Sequence, residues 1–178
     1  IFVNRRLRER EENLKTTFYH DGISIDHVAD PEAWGSSETG AYCWYNDNPD
    51  MVNIYGTLYN WHAVNSGKLC PPGWHVPSDE EWNLLIDEAG GSTVAGGNLK
   101  KAGTVYWRSP NSDADNEFGF GAMPGGFRDI YGEYLEAGEV GYHWSADGSS
   151  VYARVKRLNY YNAKIEDLDW HKINGFFL

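Results

Sequence analysis

The residues Cys70-Pro-Pro-Gly-Trp-His-Val-Pro-Ser-Asp-Glu-Glu-Trp-Asn-Leu-Leu-Ile-Asp-Glu-Ala-Gly90 encode a helix with both ends marked. Ser78 and Glu81 have capping-box spacing. The serine hydroxyl accepts from the N–H of Glu81 and the Glu81 carboxylate accepts from the N–H of Ser78, which satisfies two donors that a first turn leaves unpaired. Trp82, Leu85, Ile86 and Ala89 recur at i, i+3, i+4 and i+7. That spacing predicts one apolar stripe against a core, with Asp79, Glu80, Asn83, Asp87 and Glu88 in water. Pro77, just before the cap, is placed to staple against Trp82. Gly90 and Gly91 supply the left-handed residue that ends a helix. Asp79 and Glu80 are read as carboxylates that complement the helix dipole, not as a catalytic acid pair.

Outward from this helix, composition bounds the rest. A chain of 178 residues is expected to form one domain over 1–178, able to bury roughly 70% of the surface its unfolded form exposes. The aromatic content (8 Trp, 12 Tyr, 7 Phe) and 20 Gly favour a turn-rich, mostly irregular and β structure over a helical bundle. A formal net charge of −11 argues against nucleic-acid phosphates or an anionic membrane surface as partner. No apolar run is long enough to span a bilayer, and no signal peptide opens the chain. The chain begins mid-stream, so the missing signal says nothing about compartment.

Arg5, Arg6, Arg8 and Arg10 make Ile1 to Arg10 the one basic patch, read as a short strand followed by a solvated arm. Tyr55 to Val64 reads as a second helix, with Leu58, Trp61, Ala63 and Val64 inward. Gly96 to Lys101 reads as a helical turn and Val105-Tyr-Trp107 as a short strand. Gly141 to Ser145 and Val151 to Leu158 are expected to form a hairpin about Asp147-Gly148, because Val151, Ala153 and Val155 alternate with Tyr152, Arg154 and Lys156. The alternation fails from Asn159 to Ile173, and Asn174-Gly175 turns into Phe176-Phe-Leu178. Arg128 is expected to pair with a carboxylate at the core edge.

No metal site is expected. His20 and His27 have no matched third ligand, and the oxygen-rich turn Asn46 to Asp50 is read as a loop, because calcium needs six to eight converging oxygens. Asp113, Asp115 and Glu117 alternate as in an EF-hand, but the glycine falls one position late at Gly119 and Pro124 stands where the closing Glu belongs. Calcium is therefore not supported by a matching motif, and no cofactor is expected. His62, beside Trp61, is read as a packed or capping histidine. Cys43 and Cys70 allow one pairing. There is no Gly-x-Ser-x-Gly elbow, no His-Glu-x-x-His and no phosphate loop, so the expectation is no enzyme.

Gly73-Trp-His-Val-Pro-Ser-Asp-Glu-Glu-Trp82 resembles the helix start of the Fibrobacter succinogenes major paralogous domain family, which is related to the C-type-lectin-like fold. The likeness continues in order through Glu12-Asn-Leu-Lys-Thr-Thr17, Gly40-Ala-Tyr-Cys-Trp-Tyr-Asn46, Tyr55-Gly-Thr-Leu-Tyr-Asn-Trp61, Gly67-Lys-Leu-Cys-Pro71, Met123-Pro-Gly-Gly-Phe-Arg128, Gly141-Tyr-His-Trp-Ser145 and Asn174-Gly-Phe176. A looser version of the decapeptide occurs in formylglycine-generating enzymes. Cys43 and Cys70 do not match the reactive pair those enzymes keep near the C-terminus, so that activity does not carry over. Family members commonly carry a further cysteine beyond the Asn-Gly-Phe segment, where this chain has ended.

The resemblance implies an α+β domain of the C-type-lectin-like kind, with two main helices on a small, twisted, mainly antiparallel sheet and long irregular loops. It also implies a non-catalytic ligand-binding or display domain of a bacterial surface or secreted protein, extracellular in location. Ser109-Pro-Asn111 does not match the Glu-Pro-Asn triplet of calcium-dependent lectins, so the fold does not by itself imply sugar binding. The expected partner is a protein or a glycan, and a structural module of a larger surface protein is the remaining alternative. The ligand-facing surface is expected over Tyr142 to Lys172. Its candidate binding residues are Tyr142, His143, Tyr152, Arg154, Asn159, Tyr160, Tyr161, Asp167, Asp169, Trp170 and His171. They combine rigid aromatic area with adaptable polar groups, as antibody loops do. The fold is also the usual scaffold of proteins diversified by retroelements, so part of this surface is read as diversified. Tyr152, Tyr160, Tyr161, Asp167, Asp169, Trp170 and His171 should then share one exposed face.

Overall fold

The marked helix forms as its sequence requires. In the computed structural model, which describes residues 12–178 and the backbone of Val3–Asn4, the helix runs Asp79–Glu88. Ser78 Oγ accepts from Glu81 N at 3.2 Å, and Glu81 Oε2 accepts from Ser78 N at 2.9 Å. At the other end Gly90 has a φ of +98°. Gly91 N donates to Ile86 O and Gly90 N to Asp87 O, the two bonds that close a helix through a left-handed residue. Trp82, Ile86 and Ala89 are buried, while Leu85 is only partly buried.

The elements in chain order are β1 (Val3–Asn4), β2 (Asp26–His27), α1 (Pro31–Gly35), β3 (Ala41–Cys43), α2 (Val52–Tyr55), β4 (Leu58–Tyr59), α3 (Trp61–Asn65), β5 (Trp74–His75), α4 (Asp79–Glu88), α5 (Ala95–Leu99), β6 (Phe127–Arg128), β7 (Tyr134–Leu135), β8 (Val140–Gly148), β9 (Tyr152–Asn159) and β10 (Ile165–His171). The fold is mixed α+β. The strands form two three-stranded sheets, in the orders β10-β9-β8 and β2-β3-β4, and two short ladders, β1-β5 and β6-β7. All pairings except β2 with β3 are antiparallel. The single expected sheet is thus divided, because turns separate strands of only two or three residues everywhere except in β8 to β10.

Sheet β10-β9-β8 has both faces in use. Tyr142 and Trp144 of β8, Ala153 and Val155 of β9, and Leu168 and Trp170 of β10 pack into the main core with Phe127, Tyr59 and Phe176. Leu158 and Ile165, on the opposite face, meet Trp82 and Ile86 of α4 in a second core. Buried indoles join these layers by donating to main-chain oxygens: Trp144 Nε1 to Tyr59 O (2.8 Å), Trp61 Nε1 to Ser145 O (3.2 Å) and Trp82 Nε1 to Trp144 O (3.4 Å). The C-terminal segment returns to the middle of the fold, where Phe176 exchanges two main-chain hydrogen bonds with Tyr59.

Several expectations need correction. The helix expected over Tyr55 to Val64 is two helices and a strand. Gly56, at φ +87° with Asn13 and Leu14 against it, ends α2, and Asn60 restarts the helix by accepting from Ala63 N at 3.1 Å. Among the described residues α4 is thus the one helix of the expected kind, and the other α-helices have four or five residues. Val105-Tyr-Trp107 is a series of bends, with Trp107 buried and Val105 in solvent. The stretch where alternation fails holds β10. The β8–β9 turn lies at Ser149 to Val151, beyond Asp147-Gly148. Cys43 and Cys70 are buried free thiols, each pushed up to about 11 by burial. Val3–Asn4 pairs with Trp74–His75, while the expected basic arm lies outside the described residues.

Two substitutions in α4 separate its local from its tertiary stabilisation. Ser78→Ala should cost about 1 kcal/mol in urea denaturation, the usual worth of a cap. Trp82→Ala should cost about 3–5 kcal/mol, because it empties the second core and removes the donor to Trp144. Equal losses would contradict the assignment.

Candidate functional site

The eleven candidate binding residues occupy four different environments. Tyr142, His143 and Asn159 are corrections, because their side chains lie inside the fold. Tyr142 belongs to the main core, where its ring stacks on Phe176 and its hydroxyl donates to Glu136 Oε2 at 2.8 Å. His143 lies on the opposite face, its ring between Trp82 and Phe120 at centroid distances of 6.0 and 5.8 Å. Burial brings its pKa down to about 3, so the imidazole is neutral near pH 7. Asn159 donates to Glu166 Oε2 at 2.9 Å, and its main-chain oxygen accepts from Lys100.

Arg154 and Asp167 lie in a charge network beneath the start of α4. Lys156, whose side chain is fully buried, sits between Asp79 Oδ1 (2.7 Å) and Asp167 Oδ1. Arg154 reaches Asp79 at 3.5 Å and Asp169 at 3.6 Å. Burial alone would raise the Asp79 carboxyl, but the hydrogen bond and charge of Lys156, helped by Arg154, hold it below its usual value. Cross-strand register explains the cluster. Lys156 opposes Asp167 and Arg154 opposes Asp169, which places all four on the face that carries α4.

Tyr160 and Tyr161 lie at the far end of the hairpin. Tyr161 is 55% exposed, and Tyr160 lies under the Arg108 guanidinium at 5.3 Å. Lys100 fixes this turn from inside by donating to the main-chain oxygens of Ser112, Asn159 and Asn162 at 2.9–3.0 Å. Burial pulls its ammonium down to about 8. Tyr160 is about 26 Å along the strand from Tyr152 at 3.3 Å per residue. The single exposed face expected of the seven residues is therefore not formed: they fall into two separated patches, Tyr160, Trp170 and His171 are only partly exposed, and Trp170 packs against the main core.

At the near end four candidates converge. Tyr152, Asp169, Trp170 and His171 line one side of a groove of about 420 Å³, and Phe127, Asp129, Ile130, Tyr131, Leu135 and Asn174 complete it. Tyr152 and His171 are cross-strand partners with rings in edge contact at 6.1 Å. Trp170 projects from the opposite face and meets Phe127 edge-on at 5.0 Å. The groove thus passes the edge of β10 and takes side chains from both faces of that strand. Tyr131 is 74% exposed, at the tip of a turn that Asp129 Oδ1 organises by accepting from Tyr131 N and Glu133 N.

This far wall escaped the sequence reading. The available signal was Asp129-Ile-Tyr-Gly132, a turn sequence that places two large apolar side chains at its tip. Arg128, next to it, corrects another expectation. It is fully buried, lies between the rings of Trp34 and Tyr134, and donates to the oxygens of Val28, Ala29 and Gly132 instead of a carboxylate.

The network makes a pH-dependent prediction. Asp79 titrates lower in the folded chain than its unfolded value of 3.8, so its contribution is present above that pH and lost as pH falls through the lower folded value. Lys156→Met should raise the Asp79 pKa, move acid unfolding followed by circular dichroism to higher pH, and cost roughly 1–3 kcal/mol at pH 7 because both carboxylates keep some water. An unchanged acid transition would contradict the pairing.

Comparison with curated proteins and with solved structures finds no match. Among protein families, the model of the Fibrobacter succinogenes major domain matches residues 10–171. The chain belongs to the Fibrobacter succinogenes major domain family.

Proposed function

We propose that this is a non-catalytic ligand-binding domain of a bacterial surface or secreted protein, and that its contact surface is the groove beside β10. One observation carries the reading: four residues singled out for their binding chemistry, Tyr152 of β9 and Asp169, Trp170 and His171 of β10, meet at this groove although their side chains leave from both faces of the sheet. Aromatic side chains give contact area at low entropic cost, and carboxylate, imidazole and amide groups around them orient a ligand. A C-type-lectin-like arrangement fits this reading, since it carries irregular loops on a rigid base and places function in the loops. The surface or secreted location is part of this proposal and is drawn from the family resemblance. Diversification by a retroelement, if it acts here, belongs at positions whose side chains reach solvent, namely Tyr131, Tyr152, Tyr161, Asp167 and Asp169.

A carbohydrate is the second ligand class, favoured by the exposed rings of Tyr131 and Tyr152 at the groove. Both classes are tested together by presenting the domain to an oligosaccharide array and a displayed peptide library, beside the double variant Tyr131→Ala, Tyr152→Ala. The groove reading predicts a loss of binding of at least about tenfold with an unchanged melting temperature, since both rings are exposed. Binding that survives the double substitution would place the contact surface elsewhere.

A further inference from the structure

Strand β10 has a strand on one side only. Two hydrogen bonds fix the phase of its main chain: Lys172 N donates to Val151 O on the β9 side, and Ile165 N donates to Ser92 O on the other. Odd-numbered residues therefore direct their N–H and C=O groups away from β9. Ser92 covers the start of this outer edge. His171 O at its end accepts from Asn174 N at 3.0 Å and Asn174 Nδ2 at 2.7 Å. Between these points the N–H and C=O of Asp167 and Asp169 have no hydrogen-bond partner among the described residues.

An open edge is ordinarily blunted by proline, a bulge or charged side chains. β10 has neither proline nor bulge, and its charges are all carboxylates, which repel an acidic strand and attract a basic one. Its pairing with β9 is unbroken from Ile165 opposite Leu158 to His171 opposite Tyr152. Its two margins differ in chemistry. On one face Trp170 meets Phe127, and Tyr131 and Leu135 extend this apolar lining along the groove; from the other face leave the exposed carboxylates of Asp167 and Asp169, of which Asp169 also reaches the groove. The nearby cations already have carboxylate partners: Lys156 is fully buried between Asp79 and Asp167, the partly exposed Arg154 reaches Asp79 at 3.5 Å and Asp169 at 3.6 Å, and Arg157 pairs with Glu166 at 2.7 Å, which leaves the carboxylates of this edge and of Asp129 in excess. A second copy of this chain, itself of net charge −11, would bring the same acidic edge against this one, and like charges directly opposite each other destabilise a sheet.

We infer that the open edge of β10 binds an extended, basic peptide segment of a partner protein as a fourth strand. This deepens the groove reading and rests on it. Main-chain hydrogen bonds to Asp167 and Asp169 hold the segment. Its alternate side chains fall into the apolar groove and against the aspartates, so an alternating basic and apolar sequence fits both margins.

The test uses three decapeptides, alternating Lys-Val, Thr-Val and Glu-Val, titrated against the whole chain by calorimetry. Lys-Val should bind at least about tenfold more tightly than Glu-Val, with Thr-Val between. N-methylating all lysines or all valines of the Lys-Val peptide should abolish binding in one series and spare it in the other, because only alternate N–H groups face β10. Asp169→Pro, which removes an outward N–H, should weaken binding at least about tenfold. Asp169→Lys, which keeps the main chain intact, should narrow or reverse the preference for the basic peptide. No binding at about 1 mM, equal binding of both N-methyl series, or self-association abolished by Asp169→Pro would overturn the inference. If oligosaccharides bind and the Tyr131, Tyr152 double variant loses them while the peptides do not bind, the groove reading stands and the peptide inference falls. If no ligand responds to that double variant, both fall.

Discussion

The sheet β10-β9-β8 is covered on both faces over most of its length, and the rest of the structure depends on how that is made compatible with a charged sequence. β9 carries Arg154, Lys156 and Arg157 in succession around a fully buried Val155. A lysine without a partner at a fully buried position would be strongly destabilising. Lys156 is tolerated because the register sets Asp167 opposite it and the first turn of α4 sets Asp79 above it. The same contact fixes where α4 begins over the sheet, so helix position, strand register and charge placement are one arrangement.

Lys100 and Arg128 follow a different rule. Both are buried cations that donate to main-chain oxygens, and both tie together segments distant in sequence. Lys100 holds the β9–β10 turn, and Arg128 joins the β6–β7 hairpin to the segment after β2. Arg128 thereby braces the hairpin that supplies Phe127 and Leu135 to the groove. The position of the groove's far wall is thus set by a residue that does not line it.

Sequence reading succeeded where the determinants were local. The helix Asp79–Glu88 carries its own start, stripe and stop, and β9 shows a period of two. It failed where the determinants were tertiary. β10 alternates Leu168 and Trp170 with Asp167, Asp169 and His171, but the polar set faces a charged neighbour instead of open water, so the segment reads as a crowded loop. Asn60 is a helix cap only once Gly56 has ended the preceding turn, and the run Tyr55 to Val64 otherwise passes for one helix. Arg128 seemed to need a carboxylate because main-chain acceptors cannot be seen in a sequence. Of the site, Tyr152, Asp169, Trp170 and His171 were legible by composition. Tyr142, His143 and Asn159 share that composition but fall on buried strand positions, and only register tells the two groups apart. The far wall from Asp129 to Leu135 was not found because it is distant in sequence from β10 and is brought to it by tertiary packing, of which Phe127 on Trp170 is one contact.

Native-state hydrogen exchange tests the central claim most directly, because it separates a strand paired on both sides from one with an open edge. The amides of Val155 and Lys156 should exchange only through global unfolding, whereas those of Asp167 and Asp169 in the ligand-free chain should exchange at least about a hundredfold faster. Protection of Asp167 and Asp169 equal to that of Val155 would contradict the account, because it would mean that the outer edge of β10 is already covered.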